Sequence, residues 1–513
     1  MNNQDTQAGW RYHDGTKHPY GALMNPHHRY NPGMPLLLLK KYVGLESVPL
    51  PQDKTPLGVP ALDVLAGPAV GSDQTGTLDL SVLARLLHFS AGITKIIRRP
   101  WGDLPFRAAA CTGALYHIEL YVVCGDLPGL EAGVYHYDPE ASSLDVLRSG
   151  DFRPFLVQAS GGSPVVARAP ATLVFSDVFW RNAVKYQARE YRHAYWDSGT
   201  ILANTLAMAS AHQLEAQLVL GFVDKKINHL LGLDGSKEAA LALLPVGAGD
   251  AAPAGDLPHL ATLPTETLPV SRYEIDFPPI REMHEASALE DGDQVASWRA
   301  ASYLPKTIQD PANLVGLAQP DPGDLPQDSI EETIIRRGST RKFALESISA
   351  GQLATILSLT TGPIPFDCLL PAGGSLTHPY LIVQAVDGLP SGAYFYHREQ
   401  QGLELLKPGD FRAVAGHLGL GQALPAEASA NIYFLADLKR TFEAYGNRGY
   451  RLAQLEASIT AGKMYLAAYA QRLGATGLTF YDDEVTAFFS PHAEGLSVMF
   501  LIALGVPARK TIH

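Results

Sequence analysis

Three arginines, a serine and a glycine fall within six residues of the second half of the chain, in the run Arg336-Arg337-Gly338-Ser339-Thr340-Arg341. Guanidinium groups give bidentate, charge-assisted hydrogen bonds to phosphate oxygens. Because the formal net charge of the chain is −12, a local cluster of cations calls for a local anion. The cluster predicts a cradle for a phosphate-bearing ligand. The residue types alone fit equally well a helix C-terminus whose cations favour the helix dipole.

A second polar run, from Lys185 to Arg192, lies in the first half of the chain. A lysine or tyrosine with a lowered pKa can remove a substrate proton. Four residues of this run recur 259 positions later (445 − 186), which favours a structural role for them at a domain interface. Lys185 is distinctive, because Ala444 stands at its counterpart. The recurring pairs are Tyr186 and Tyr445, Arg189 and Arg448, Tyr191 and Tyr450, and Arg192 and Arg451.

The same displacement relates a much longer stretch of sequence. Residues 129–153 return as residues 388–412 without a gap, and Asp224 falls on Asp483. A repeat of this length indicates a domain duplication, and the two copies are expected to pack as a pseudo-twofold dimer. Aligning the first helices of the copies instead gives a displacement of 270 (353 − 83). That alignment places Gly67, Ala69 and Gly71 opposite Arg337, Ser339 and Arg341, so only the second copy has a phosphate cradle.

Periodicity and capping residues predict the elements of both copies. Asp79 and Gly92 bound one helix, and Ser349 with Gln352 forms a capping box that opens the matching helix before Gly362. The remaining predictions are short strands at 118–123, 380–385, 241–246 and 500–504 and long helices at 196–213 and 451–472. The predicted domains are an extended N-terminal arm (1–75), a first repeat (76–261), a linker that wraps a neighbour (262–325) and a second repeat (326–513).

Composition excludes several classes of protein. With 46% hydrophobic and 18% charged residues the chain is an ordinary globular protein. Its acidity argues against nucleic-acid or anionic-membrane partners. Three scattered cysteines predict neither a disulfide framework nor a zinc site, and without a signal-peptide pattern we expect a cytoplasmic protein. The run from Tyr12 to His18 is read as a solvated or interface arm rather than a metal site, so no metal is predicted.

Several runs resemble motifs of one enzyme family. Residues 336–343 resemble the Arg-Arg-Ser-x-Arg motif that opens FMN-dependent nitroreductase-family domains. Residues 371–376 resemble the flavin loop of that family, with Ala372 at the usual serine. Residues 110–123 are similar to the Pro-Ser-Ala-Gly-Ala-Leu-Tyr-Pro run of the SagB-type (azoline dehydrogenase) branch, with Cys111 at the serine and His117 at the second proline.

The resemblance implies an α+β fold with two tandem nitroreductase-like domains. Each would hold a mixed, largely antiparallel sheet flanked by helices, and the two would form an intramolecular pseudo-dimer. One complete FMN site would form from the arginine motif of the second repeat and the loop of the first, while the later glycine loop would lie near flavin N5. Lys185 and Tyr186 would be catalytic. The implied flavin-binding residues are Arg336, Arg337, Ser339, Arg341, Cys111, Thr112, Gly113, Ala114, Gly477, Leu478, Arg509 and Lys510.

The function that follows from the resemblance is an FMN-dependent oxidoreductase. Hydride would pass through flavin N5 to or from a substrate, with NADH or NADPH as a transient reductant. The substrate stays open between nitro- or quinone-like small molecules and a peptide-borne heterocycle of the azoline type. The alternative is a degenerate protein that binds or senses flavin without turnover, or that has lost flavin and works as a binding module.

Overall fold

The computed structural model describes residues 2–19, 35–65, 76–99, 102–252, 260–305, 311, 313–369 and 374–508. Within them, the helices are α1 (Gln7–Gly15), α2 (Ala61–Leu65), α3 (Leu80–Ala91), α4 (Arg153–Ala159), α5 (Pro164–Arg168), α6 (Phe179–Tyr186), α7 (Glu190–Ala211), α8 (Asp224–Leu231), α9 (Pro278–Ala286), α10 (Gly292–Arg299), α11 (Ile330–Arg336), α12 (Ala350–Thr360), α13 (Arg412–Leu418), α14 (Ala423–Glu427), α15 (Leu438–Tyr445), α16 (Arg448–Ala470) and α17 (Asp482–Phe489). The strands are β1 (Ser47–Pro49), β2 (Ile93–Arg99), β3 (Gly102–Arg107), β4 (Ile118–Cys124), β5 (Gly133–Asp138), β6 (Ser143–Ser149), β7 (Ala171–Val178), β8 (Glu238–Val246), β9 (Leu314–Gly316), β10 (Thr377–Val383), β11 (Gly392–His397), β12 (Gly402–Pro408), β13 (Ala430–Ala436), β14 (Gly474–Leu478) and β15 (Ser497–Gly505).

Two large sheets repeat one strand order. The first sheet runs β1-β6-β5-β4-β7-β8, and the second runs β9-β12-β11-β10-β13-β15-β14 when read in the same direction. All neighbouring strands in both sheets pair antiparallel, and parallel pairing within the described residues is confined to isolated bridges. The prediction of two α+β domains with largely antiparallel sheets is therefore confirmed.

The two longest helices, α7 and α16, join the repeats at the centre of the molecule. A Cβ atom on Gly199 would lie 1.9 Å from Ser458 Oγ, and one on Gly462 would lie 2.6 Å from Ala203 Cβ. Both pairs are counterparts at the repeat displacement of 259 residues (458 − 199 and 462 − 203). Because counterpart residues contact each other, the pseudo-twofold axis passes between these helices, and glycine permits their close approach. The predicted pseudo-dimer is confirmed.

Reciprocal ion pairs tie the helix starts of one repeat to the other repeat. Arg448 and Arg451 each lie 2.7 Å from Asp224, and the counterpart arginines Arg189 and Arg192 bind Asp482 at 3.1 and 2.6 Å. The repeated arginines are fully buried at this interface, as expected for a structural role. The constant displacement placed Asp224 opposite Asp483, but the structure places Asp482 there because α17 begins at Asp482 as α8 begins at Asp224.

The segments outside the predicted repeats also correspond to each other. Arg192 donates to the carbonyl oxygen of His13 at 2.7 Å and to the hydroxyl of Thr16 at 3.0 Å. Arg451 donates in the same way to His284 and Ser287, each at 2.8 Å, and both displacements are 271 residues (284 − 13 and 287 − 16). Helix α1 is therefore the counterpart of α9. The arm predicted as extended contains α1, β1 and α2, and its histidine-containing patch is a buried interface.

An insertion separates the two repeats just before the predicted flavin loop. Helix α3 corresponds to α12 at a displacement of 270 residues, whereas everything from the loop onward follows 259, a difference of 11 residues (270 − 259). Strands β2 and β3 form an antiparallel hairpin in this place, separate from both large sheets. In the second repeat only a short segment joins α12 to the loop. Among the described residues no helix has the length and apolarity needed to span a membrane.

Candidate active site

The predicted catalytic pair stands directly over the predicted flavin loop of the first repeat. Residues Thr112–Ala114 form a single 3₁₀ turn between β3 and β4, and Gly113 adopts φ +66°. A Cβ atom on Gly113 would lie 2.8 Å from Tyr186 Oη and 3.3 Å from Lys185 Nζ. Both side chains come from the C-terminal end of α6, which stops at Tyr186. Glycine is required here both for the left-handed backbone and for the close approach.

The second repeat contributes a group of donors to the backbone on the other side of this loop. Helix α11 begins with a capping box at Ser329 and ends at Arg336, so that Arg337 leaves the helix toward the first repeat. Arg337 Nε donates to the carbonyl oxygen of Ala108 at 2.9 Å, three residues before Cys111. The predicted arginine cradle and the predicted loop are thus brought together across the repeat interface.

Tyr465 on α16 joins this group, although the sequence analysis missed it. Its ring lies 5.9 Å from the guanidinium carbon of Arg337, and its hydroxyl lies 3.5 Å from Ser339 Oγ. The same hydroxyl accepts a hydrogen bond from the backbone N–H of Gly477. The counterpart of Tyr465 is Leu206 (465 − 259), so a polar residue that the scaffold does not require was the available signal.

Lys185 and Arg341 bring two positive charges to the same place from different repeats. Both side chains are exposed. Partial burial, and then the charge of Arg341, lower the pKa of Lys185. Two cations held near each other favour an anion between them, and a lysine with a lowered pKa loses its proton more readily. This arrangement can both bind a phosphate-bearing group and accept a proton.

Other predicted residues lie apart from this group or outside the described residues. Arg336 turns away, because its guanidinium donates to Asp328 at 2.7 Å and to the carbonyl oxygen of Tyr469 at 2.9 Å. The predicted glycine loop at 474–478 is instead a strand, β14, paired with β15, with Gly477 and Leu478 half-buried. The residues that fall outside the described part of the chain are Arg509, Lys510, Pro371, Ala372, Gly373, Gly67, Ala69 and Gly71.

One carboxylate fixes the flavin loop to the core of the first repeat. Asp197 on α7 accepts hydrogen bonds from the backbone N–H and the hydroxyl of Thr112, each at 2.8 Å. It also accepts from the thiol of Cys111 at 3.0 Å. Its remaining partner is His117 Nε2, at 2.8 Å. Four hydrogen-bonding groups on one carboxylate hold the loop in the geometry that places Gly113 beneath Lys185.

Behind Asp197 lies a cluster of fully buried ionisable groups. His117 Nδ1 lies 2.7 Å from Asp177 and 3.4 Å from Glu190. Burial by itself would lower the pKa of His117, but Asp177 and the other carboxyl groups outweigh it and raise the pKa well above its ordinary value. Burial and the charge of Asp177 raise the pKa of Glu190. The cluster therefore holds a charged imidazole and a protonated glutamic acid. Its donor atoms are also close enough to ligate a metal, so the expected absence of a metal stays a prediction.

The duplication shows which part of this network the fold requires. The counterpart of Asp197 is Glu456, which in the second repeat holds the corresponding loop through Leu376 and Thr377. The loop anchor is therefore part of the common scaffold. His117, Asp177 and Glu190 have apolar counterparts, and the same fold closes over them without ionisable groups. These counterparts are Leu376, Ala436 and Gly449.

The pseudo-symmetric position of the second site is filled by protein. Leu218, the counterpart of Gly477, donates its N–H to Pro365 at 2.9 Å and accepts from the N–H of Asp367 at 2.8 Å. Between them Phe366 is completely buried. The Asp367 carboxylate accepts two further backbone N–H groups, from residues 220 and 221. Chain of the second repeat thus occupies the region that corresponds to the open group around Gly477.

The open group has the chemistry of a flavin phosphate site. Arg337 and Arg341 supply guanidinium donors, Ser339 supplies a hydroxyl, and Tyr465 supplies an aromatic ring. Gly113 keeps the loop clear of any side chain where the two repeats meet. Charge, donors and open backbone suit a planar cofactor with a phosphate, and the residues present therefore fit FMN.

Comparison with known proteins places these repeats in a family. The model of the nitroreductase family matches residues 75–248 and 334–505, more than half of the chain. The crystal structure of a candidate nitroreductase from Anabaena variabilis is 25% identical in sequence, with a TM-score of 0.76. That alignment covers 98% of this chain and 99% of the other chain, so the whole tandem architecture is shared.

Curated relatives match about a third of the chain. MJ1384 of Methanocaldococcus jannaschii, described by name as a candidate nitroreductase, is 29% identical over 33% of this chain and 81% of its own length. The trifolitoxin-processing protein TfxB of Rhizobium leguminosarum bv. trifolii is 30% identical over 33% of this chain and 47% of its own length. The microcin B17-processing protein McbC of Escherichia coli is 26% identical over 31% and 57%, respectively. The match thus spans about half the length of the two processing proteins.

Proposed function

Because the chain belongs to the nitroreductase family through both of its repeats, we propose that it is an oxidoreductase that binds one FMN between them. The observation that carries the proposal is the meeting of Lys185 and Tyr186 from the first repeat with Arg341 from the second, beside the glycine of the loop. Neither repeat supplies this combination alone. The pseudo-symmetric position lacks it and is filled by residues around Phe366.

The FMN-holding residues in this proposal come from both repeats. Arg337, Ser339 and Arg341 would bind the phosphate and ribityl groups, and the loop 111–114 would lie against the ring. Bound FMN supplies a two-electron centre that exchanges hydride at N5. The position of Arg336, turned toward Asp328, makes it a structural residue in this proposal, and Arg509 and Lys510 remain expected phosphate contacts.

Lys185 is the proposed base. Oxidation of a C–H or C–N unit requires that one hydrogen leaves as a proton when the other leaves with two electrons, and a base beside the site accepts that proton. The lowered pKa of Lys185 increases its neutral fraction, which can take the proton at Nζ. Tyr186 Oη lies on the same side of Gly113 and would orient the substrate toward that atom.

We propose an azoline-type heterocycle carried by a peptide as the substrate, oxidised to its aromatic form. Support comes from the names of TfxB and McbC, which describe the processing of the peptides trifolitoxin and microcin B17. It also comes from Lys185, since reduction of a nitro group by hydride does not require a base to remove a carbon-bound proton. With NADH or NADPH as reductant the same site would work in the opposite direction on small acceptors.

The test combines flavin content with turnover. Flavin released from the purified protein should approach one per chain, and a thiazoline- or oxazoline-containing peptide should be converted to the azole, with a mass loss of two hydrogens. Bound flavin with no turnover of any azoline peptide, nitro compound or quinone would contradict the enzyme and support a sensor. Protein without flavin that does not take up added FMN would contradict the flavoprotein altogether. A ratio near two would show that the second position also binds.

A further inference from the structure

The hairpin formed by β2 and β3 is the largest feature that only one repeat possesses. It occupies the 11-residue difference between the two displacements and ends at Arg107, directly before the carbonyl of Ala108 that Arg337 binds. In the described residues it pairs with neither large sheet. The hairpin therefore projects from the base of the candidate active site. A two-stranded ribbon by itself is only marginally stable in water, so its exposed surface suits a partner.

The surface of the hairpin combines positive charge with exposed apolar groups. Lys95, Arg98 and Arg99 are all exposed on β2, whereas Asp103 is the acidic residue in its two strands. Ile96 is 57% exposed, and Leu104 on β3 is 38% exposed. Such a cationic surface on a chain with a net charge of −12 attracts acidic groups locally, while the rest of the molecule repels a large polyanion.

The backbone of the hairpin also offers a place for another strand. Each strand of a two-stranded ribbon has one side that its partner does not cover, and such an edge can pair with an added chain. On β3 this edge is compromised by Pro105, which has no backbone N–H. Strand β2 contains no proline and runs for seven residues. Peptide addition along an open edge uses main-chain hydrogen bonds for affinity and side-chain contacts for selectivity.

We propose that β2 docks an extended acidic segment of a peptide substrate as a third strand of the hairpin, beside the active site. This inference rests on the proposed function and narrows its substrate class to peptides with aspartate or glutamate near the reacting heterocycle. The second repeat lacks such a surface. Its shorter segment at the same place folds inward, where Phe366 is buried against Leu218.

The first experiment tests the charge. Binding of a short fluorescein-labelled peptide of alternating glutamate and threonine is measured by anisotropy against peptides in which glutamine or lysine replaces glutamate. The variant K95Q/R98Q/R99Q should bind the glutamate peptide about tenfold more weakly, since three exposed ion pairs are lost. The charge reversal K95E/R98E/R99E should instead prefer the lysine peptide, a gain that damage to the fold cannot produce. The matched control K54Q/K225Q/K439Q removes three exposed lysines elsewhere and should bind like the wild type.

The second experiment tests strand addition. A glutamate peptide with alternate backbone amides N-methylated keeps its charge but loses half of its donors, and it should bind at least about tenfold more weakly. Equal binding of the two peptides would overturn docking as a strand. Equal binding of the glutamate and glutamine peptides, or stronger binding to vesicles with anionic lipid than to any peptide, would overturn the acidic-peptide assignment.

Flavin content and reduction of a small quinone are measured on every variant to separate this proposal from the proposed function. If hairpin variants retain flavin and quinone reduction but lose peptide binding, both proposals are supported. If the wild type binds the acidic peptide but holds no flavin, the docking surface stands and the oxidoreductase fails. If the wild type holds flavin and turns over the quinone but shows no peptide preference, the docking proposal alone is refuted.

Discussion

The two repeats share a scaffold and differ in chemistry. Both have the same order of strands, the same central helix and the same buried arginine pair that binds an aspartate of the other repeat. The first repeat alone has Lys185 and the buried cluster around His117, while the second alone has the described arginine run ending at Arg341. Residues present in both copies serve packing, and residues present in one copy are the candidates for function.

The difference between the two potential sites also has a structural side. At one position Gly477 and Tyr465 face an open group of donors, whereas at the other Leu218 pairs with the chain around Phe366. Duplication creates two equivalent clefts, and loss of charge from one permits its filling by apolar residues. One cleft then stabilises the molecule, and the other is free to bind a ligand.

The largest effect is expected at Lys185. Lys185→Ala should slow substrate-dependent flavin reduction by ~10²–10⁴, because a proton-transfer group is lost. Folding and flavin content should not change, and the matched substitution Ala444→Lys in the other repeat should have no kinetic effect. Stopped-flow absorbance measures the reduction rate. Unchanged kinetics with every accepted substrate would remove Lys185 from the mechanism.

The shared interface predicts equal effects in the two repeats. Asp224→Asn and Asp482→Asn should each lower the free energy of unfolding by about 3–5 kcal/mol, because each leaves two buried arginines without a counter-charge. Asp483→Asn is the control, since that carboxylate pairs with Lys17 at the surface and is 79% exposed. Denaturant unfolding would measure all three. A large loss for only one of the two buried aspartates would show that the interfaces are not equivalent.

The cluster behind the loop predicts a non-additive result. His117→Leu alone should cost about 3 kcal/mol of folding stability, since Asp177 and Asp197 lose the imidazole between them. Substituting the whole set found in the second repeat, as H117L/D177A/E190G, should cost less than the single change. Unfolding of the single and triple variants is compared under one condition. A triple variant that is less stable than the single one would mean that the first repeat cannot accept the solution used by the second.

Adjacent arginines provide a matched pair for flavin affinity. Arg337→Ala should weaken FMN binding at least about tenfold, since a charge-assisted contact contributes roughly 1.5–3 kcal/mol. Arg336→Ala should leave the affinity nearly unchanged, because its partners are Asp328 and the carbonyl of Tyr469. Flavin fluorescence during titration of apoprotein gives both constants. Equal affinities would contradict the assignment of the cradle.

Acid should weaken the shared interface over a defined range. Burial alone would raise the pKa of Asp224, but Arg448 and Arg451 outweigh it and lower the pKa to about 2. A carboxyl group with a lowered folded-state pKa stabilises the protein above its unfolded pKa and loses this contribution as the pH falls. The free energy of unfolding should therefore drop by about 2 kcal/mol for this group between about pH 4 and pH 2. The D224N variant should show a correspondingly smaller drop, and a parallel profile would contradict the assignment.

Local rules explain what could be predicted of the fold. Asp79 and Gly92 bound α3 as expected, and Ser349 with Gln352 forms the capping box of α12. Such signals act over three or four residues and are readable in sequence. The first turns of α7 and α16 were missed because they hold the buried charged residues around Arg192 and Arg451, which break the apolar pattern used to place helix starts.

The sequence by itself determined the duplication, the element order and the residues that set one copy apart, because these are properties of type and spacing along the chain. Only the tertiary structure decided that Lys185 lies over Gly113 and near Arg341, since the three are far apart in sequence and meet through packing of α7 against α16. It also decided that Arg336 turns toward Asp328 and that Phe366 fills the second position. Burial and competing partners assign the role of a side chain, and neither can be read from its neighbours in sequence.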